Sequence, residues 1–348
     1  MGAMCAPGTA TLAEMDLSGR AADRHATTRL GVVSALLDGD AALAFHQVLA
    51  AMSDGTPFDE ILFDILASIQ VDVGRRWVAG DYGVADEHAI SAGVETVVAL
   101  LAGSFDQPAD GALVVVASAE GDTHSLPARV LAAYLVYREF RVANLGATLP
   151  AEDLEEFLRV HEPSALVLTC TMASNLPGAR KCIAAAHRAG VPVVAGGRGF
   201  GETQHRARAL GADAWLSNPR LLDGLLERWE PNIEEAEARA PDPAEAPIAQ
   251  RWPDIAAVAE SAAASVESGG GAAVVIRRDV EMFTETLDAA LLVDEAGPLV
   301  DLAVWHASFI DSGNRPKTTR PILEALVHRI GVLDERIGEF VSQAVAAL

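Results

Sequence analysis

Aromatic residues make up 5% of the 348-residue chain, and it has three cysteines. With so few rings the core has to be built from Ala, Leu and Val. Half the residues are apolar, enough to bury a sizeable interior. Cys5, Cys170 and Cys182 stand at no disulfide or metal-ligand spacing, which points to a reducing, cytoplasmic setting. An apolar run of about 18 residues is absent, so no membrane-spanning helix is expected. A basic-then-apolar leader is not read either, so no signal peptide is expected. Forty-nine acids face 26 scattered basic residues, a net charge of -23, with no basic patch to neutralise phosphates. Nucleic-acid binding is therefore not expected, and the acidity by itself serves solubility. No P-loop, Ser/His/Asp set, zinc motif or Gly-rich dinucleotide loop stands out, so the chain is read as no enzyme.

What is present falls into five stretches. Residues 1–27 are small and irregular, a mobile arm. Residues 28–106 have helical period: Leu36, Leu37, Leu43, Ala44, Val48 and Met52 recur, then Ile61, Ile65, Ile69, Val73 and Trp77 form one stripe. Thr56 is read as a cap, with Pro57 at the first helical position and Asp59 and Glu60 in the first turn. A third helix runs from Val84 to about Leu101, giving a bundle of three or four. Residues 107–230 alternate strand and helix. The strands are Leu113–Ala117, Arg141–Leu145, Ala165–Leu168, Val191–Val194 and Ala214–Leu216. That alternation predicts an α/β, doubly wound parallel sheet of Rossmann-like kind, with ligands beyond the strands' carboxyl ends. Residues 231–250 are an acidic, Pro-rich linker. Residues 251–348 are helical again, with helices over about 253–267, 271–293, 298–311 and 319–347.

The first strand runs into Ser118-Ala119-Glu120-Gly121-Asp122-Thr123-His124. A histidine there is in a ligand-binding position. An aspartate two residues before it could hold its other ring nitrogen and make it a better metal ligand. A polar loop with a surface histidine has the same sequence. Thr169-Cys170-Thr171 ends the third strand and Gly196-Gly197 the fourth, on the same edge. Small residues and hydroxyls there would leave a slot for a flat group on a long tail. A plain strand-to-helix turn also explains the glycine pair.

These blocks resemble the cobalamin-binding domain of methionine synthase, corrinoid methyltransferase proteins and cobalamin light sensors, whose pattern is Asp-x-His-x-x-Gly, Ser-x-Leu and Gly-Gly. Here Asp122, His124 and Pro127 fill the first block; 41 residues separate Pro127 from Thr169, and 24 separate Thr171 from Gly196. The resemblance implies that His124 is the metal ligand, taking the lower axial position on cobalt in place of the cofactor's own base. It also implies that Asp122, Thr123, Thr169, Thr171, Gly196 and Gly197 bind the cofactor. Pro127 stands where Gly is usual, and Thr171 replaces Leu.

In the bundle, Trp77 is followed after nine residues by Glu87-His88. An aromatic plate beside a carboxylate and an imidazole could cover one face of a planar macrocycle. Core packing of Trp77 and a helix-start charge on Glu87 explain the same residues. The signature resembles the cap of CarH-type photoreceptors, which implies contacts from Trp77, Val84, Glu87 and His88 to adenosylcobalamin. The resemblance covers roughly residues 30–230. The expected DNA-binding module is not read before the bundle, and Val78 stands where that family has a histidine.

A cobalamin module joined to a helical C-terminal domain resembles the photocobilins, which implies biliverdin as a second chromophore. Arg277, Arg278, Arg315, Lys317 and Arg320 could pair its propionates, and Trp305 and His306 could flank it. A dimerising bundle with surface cations fits those residues equally well. The resulting expectation is a light sensor, acting as a homo-oligomer such as a dimer or through a downstream signalling protein. A corrinoid methyl carrier serving a methyltransferase is the alternative.

Overall fold

The computed structural model describes residues 24–229, 231, 258, 264, 272–309, 311, 317–328 and 335–348. Most of the arm, the linker and the helix read over 253–267 thus lie outside the described residues.

The first unit is a helical bundle. Helices α1 (Ala26–Leu37) and α2 (Ala41–Ser53) are joined by a short turn, and the Asp40 carboxylate caps α2 by accepting the Leu43 N–H at 2.8 Å. The third helix differs from the sequence reading. Pro57 is its N-cap rather than its first residue, and no side chain caps it. After Phe58–Glu60 it passes through a π-helical stretch, Ile61–Leu66, before continuing as α3 (Ala67–Ala79). Ile61, Leu62, Ile65 and Leu66 in this stretch are all in the core. Each such side chain, fully buried, is worth about 1.5–3 kcal/mol. Leu37 and Leu43 belong instead to the outer face, at 38% and 46% exposure. Helix α4 (Val84–Ala102) closes the bundle with Ile90, Val94, Val97, Val98 and Leu101.

The second unit is a five-stranded parallel sheet of order β2-β1-β3-β4-β5. Its strands are β1 (Leu113–Ser118), β2 (Arg141–Gly146), β3 (Ala165–Thr169), β4 (Val193–Gly196) and β5 (Ala214–Leu216). Alternate residues divide between two layers. Val115, Ala117, Leu166, Leu168, Val193 and Ala195 pack with α6 (Ala151–His161) and α7 (Leu176–Arg188). Val114, Val116, Val167 and Val194 pack with α5 (Leu126–Tyr137) and α9 (Leu222–Leu226). The short helix α8 (His205–Ala209) was not expected from the sequence. Strand order reverses between β1 and β3, which opens a crevice at their carboxyl ends.

The bundle docks on this sheet unit through α5. Tyr134 belongs to the bundle core and stacks edge-on to Phe63 at 5.3 Å. Arg220 bonds Asp59 and Asp64, each at 2.7 Å, with its guanidinium over the Phe63 ring.

The third unit contains α10 (Ala272–Val293), α11 (Gly297–Phe309), α12 (Thr319–Leu326) and α13 (Glu335–Ala346) around Phe283, Leu287, Leu299, Leu326 and Val341. The sequence reading had one helix over 319–347; positions 329–334 between α12 and α13 lie outside the described residues. Helix α10 extends onto the sheet unit, where Ala289 and Val293 enter the core beside α7. The architecture is therefore helical cap, parallel α/β sheet and C-terminal helices. Among the described residues no helix is long and apolar enough to cross a membrane.

Candidate functional site

The loop after β1 is fixed by its own backbone and side chains. Ala119 N–H bonds Thr169 O at 2.8 Å, and Asp122 N–H returns to Ala119 O at 2.9 Å. Glu120 accepts the Ala151 N–H at 2.8 Å and pairs with Lys181 at 2.5 Å, stapling the loop to α6 and α7. Gly178 permits the approach of α7, since a Cβ there would lie 1.9 Å from Glu120 O.

Asp122 has no exposed surface. A buried carboxylate requires several donors. Its Oδ1 accepts His124 Nδ1–H at 2.6 Å and the His124 N–H at 3.1 Å, and Oδ2 accepts the Thr171 N–H at 2.6 Å. Burial opposes the charge on Asp122, but these bonds outweigh it and hold the carboxyl below its usual range. His124 is shifted up, chiefly by the bond to Asp122, against burial; the charges of Asp122 and Glu87 add to the shift. With Nδ1 engaged, Nε2 is the nitrogen left for a metal, on a side chain 48% exposed. The carboxylate–imidazole relation read from the sequence is thus present.

Thr169 is buried, and its hydroxyl donates to Ser118 Oγ at 3.2 Å; Ser118 Oγ–H donates in turn to His124 O at 3.0 Å. Thr171 is half-buried and acts through its backbone, while Thr123 is exposed. Gly197 has φ +102, and a Cβ there would come within 2.5 Å of Cys170 O. Gly196 pairs in register with Leu216, beside which a cleft of about 450 Å³ opens between Leu221, Gly224, Leu225 and Trp229. Neither Thr169 nor Gly196 lines that cleft, and Ser118 and Thr169 are buried, so the slot expected beside Thr169 and Gly196 is not open in this structure.

The cap contributes from the hairpin between α3 and α4. Gly80 ends α3 in the left-handed conformation, Arg76 lies over the Tyr82 ring, and Asp86 accepts the Gly83 N–H at 2.8 Å. This turn places Trp77 and the Glu87–His88 pair at the same end of the bundle. Trp77 is half-buried and outside the bundle core. Val84 is 60% exposed and the His88 side chain 72% exposed. Glu87 is the cap residue whose charge reaches His124. Its Oε2 lies 2.5 Å from His88 Nδ1, and its Oε1 accepts the Ser91 hydroxyl at 2.7 Å. Ser91 Oγ also lies 2.9 Å from the Gln70 amide oxygen. Ser91 has a single proton, so the Gln70 NH2, otherwise buried without a partner, has to supply that second bond.

Sequence reasoning missed Ser118, Gln70 and Ser91. Ser118 was accessible to it, being two residues beyond Val116 on the strand face that carries Val114. Gln70 and Ser91, on two different helices 21 positions apart, gave no such signal. The reading of His306 as a chromophore flank is corrected: it is a core residue with no exposed surface, and its Nδ1 is bonded to Thr319 Oγ1 at 2.7 Å. Arg315 lies outside the described residues.

Comparison with known proteins bears on both halves of this arrangement. A B12 binding domain model matches residues 112–217, and a second B12 binding domain model matches residues 31–102. Trimethylamine corrinoid protein 1 of Methanosarcina mazei is 25% identical over 189 residues, 52% of this chain and 87% of its own length. The HTH-type transcriptional repressor CarH of Myxococcus xanthus is 34% identical over 131 residues, 37% of this chain and 41% of its own length. Among solved structures, the Methanosarcina barkeri monomethylamine corrinoid protein matches at 19% identity and a TM-score of 0.47, covering 56% of this chain and 95% of that one. The loop bearing His124 and the helix bearing Glu87 each fall inside a matched B12 binding domain, and the chain is a cobalamin-binding protein.

Proposed function

We propose that the chain is a light sensor that holds adenosylcobalamin between the cap and the sheet edge, with His124 as lower cobalt ligand. The observation that carries the reading is the Asp122–His124 bond, which leaves Nε2 for a metal, with Trp77, Glu87 and His88 gathered at one end of the cap and the Glu87 charge adding to the upward shift of His124. The similarity to the CarH repressor supports the same reading.

The residues fit a base-off cobalamin. Asp122 fixes the His124 tautomer, leaving Nε2 for the metal. Ser118, Thr169 and Gly196 are small residues, and a tail entering between β1, β3 and β4 would have to part the Ser118 and Thr169 hydroxyls from their present bonds. When bound, adenosylcobalamin would supply a light-sensitive cobalt–carbon bond. The chain's own residues would do the rest: His124 and Asp122 hold the lower face, while Trp77, Val84, Glu87 and His88 cover the upper one. Rearrangement of that cover would shift a two-state equilibrium toward a changed oligomer or partner surface. Biliverdin on the C-terminal helices would extend the spectral range. The exposed Arg277, Arg278, Lys317 and Arg320 support that extension, and the absence of cysteine from 251–348 makes any such binding non-covalent.

The test is spectroscopic. Bound adenosylcobalamin should lose its alkyl-cobalt absorption under green light, and His124→Ala should abolish the His-ligated spectrum beforehand. A light-stable complex would remove the sensor reading. The second reading, a methyl carrier, is supported by the similarity to the trimethylamine corrinoid protein across most of that protein's length. Stronger binding of methylcobalamin than of adenosylcobalamin would favour it.

A further inference from the structure

Arg206, in the short helix after β4, is buried where the sheet unit meets the C-terminal helices. Its side chain is 8% exposed, and each of its three nitrogens makes a hydrogen bond. Nε donates to Glu295 Oε1 at 2.6 Å, Nη2 to Asp301 Oδ2 at 2.8 Å, and Nη1 to Gly199 O at 3.3 Å. Two glycines make room for it. A Cβ on Gly201, whose φ is +77, would lie 3.2 Å from the guanidinium carbon, and one on Gly297 would lie 2.6 Å from Nη2. The neighbouring His205 Nε2–H donates to Val293 O at 3.1 Å, and Val293 is in the sheet unit's core.

On its other side, this joint is two steps from the crevice. Gly199 N–H donates to Cys170 O at 2.9 Å, and Cys170 N–H to Gly196 O at 3.0 Å. The next residue, Thr171, holds Asp122, which holds His124. A ligand entering beside Gly196 and Gly197 cannot leave this segment unaffected, because the Gly197 backbone already abuts Cys170. Glu295 lies in the α10–α11 turn and Asp301 on α11, so Arg206 ties the segment to both helices by charge, beside the His205–Val293 bond and the packing of Ala289 and Val293.

We propose that Arg206 couples occupancy of the β1–β3 crevice to the order of the C-terminal helices. Binding in the crevice fixes the Gly196–Gly201 segment, and Arg206 transfers that constraint to α10 and α11. The inference rests on the cobalamin reading above. It assigns the output of the site to residues 285–305, through a contact that needs neither DNA nor a second subunit.

The experiment is hydrogen exchange on the full chain, with and without hydroxocobalamin. In the unaltered chain, binding should slow exchange both at residues 118–126 and at 285–305, the latter at least about fivefold. Arg206→Gln should keep the effect at 118–126 and reduce that at 285–305 to under about twofold. Glu295→Ala combined with Asp301→Ala removes the same contact from the other side and should give the same result, which guards against a folding defect peculiar to the arginine variant. Undiminished protection of 285–305 in both variants overturns the coupling. So does an unaltered chain protected at 118–126 alone. An unaltered chain protected at neither segment overturns the cobalamin reading instead, so the two failures are distinguishable.

Discussion

Asp122 and His124 share one short hydrogen bond, 2.6 Å from Oδ1 to Nδ1, and the rest of the carboxylate is closed by the Thr171 and His124 amides. The charge on Asp122 has no contact with solvent, so its influence goes into the imidazole: it orients the ring and raises the basicity of Nε2. Asp122→Asn keeps the size of the side chain and removes the charge. We expect it to weaken hydroxocobalamin binding by about 10–100-fold, read from a spectral titration. An affinity within about threefold of the unaltered chain would mean that the carboxylate serves only to hold the loop.

Tyr134 gives the fold a dependence on alkaline pH. Its hydroxyl donates to Asp223 Oδ1 at 3.1 Å inside the joint between bundle and sheet. Burial, then the charge of Asp223, push its phenol up to about 12. A folded-state value above the unfolded one means that stability is fully present below about pH 10 and is lost as the pH rises toward about 12. The loss is of the order of 1–3 kcal/mol. Among the chain's three tyrosines, one should ionise late in an absorbance titration, and Tyr134→Phe should remove that late step and flatten the alkaline loss of stability.

The alternation of strands and helices was legible because each strand is a short apolar run bounded by turn residues. The Asp122–His124 pair was legible because both residues lie on one loop, two positions apart. Gly197 was legible as part of a glycine pair, although its reason, the approach of Cys170 O, was not. What could not be read depends on how units dock. The charge of Glu87 bears on His124 only once the bundle has docked on the sheet unit. Arg206 meets Glu295 and Asp301 across 89 and 95 residues of chain. The π-helical stretch escaped because its buried pairs mimic an ordinary amphipathic pattern. His306 could have been placed correctly: with Leu299, Leu302 and Ala303 it forms an i, i+3, i+4, i+7 stripe, all of it core.

The Gln70–Ser91–Glu87 chain predicts a selective effect on the cap. Ser91 sets the Glu87 carboxylate at 2.7 Å, and Gln70 holds Ser91 from α3. Ser91→Ala frees Glu87 to rotate into solvent while leaving the Asp122–His124 bond and its loop in place. If the cap covers the adenosyl group, adenosylcobalamin affinity should fall about tenfold, the equivalent of about 1.4 kcal/mol, while hydroxocobalamin affinity stays within about twofold. Equal losses for both ligands would show that the chain supports the fold of the bundle rather than the upper face of the site.

Gly197→Ala tests whether the turn after β4 is a structural necessity or a mere spacer. The residue sits at φ +102, where a side chain is strained, and the added Cβ would collide with Cys170 O at 2.5 Å. Because the Cβ position is fixed by the backbone and its partner is a backbone carbonyl, neither can yield by a change of rotamer. The collision has to displace either Cys170, and with it the Thr171 N–H that Asp122 accepts, or the strand end at Gly196. We expect a loss of about 2–4 kcal/mol in denaturant unfolding. Cobalamin affinity should weaken beyond what that loss explains, because the shift runs directly into Asp122. Unfolding and binding measured on the same preparation separate the two effects. A stable variant with normal affinity would show that the Cys170–Gly197 contact can relax, and that the glycine pair is only a turn.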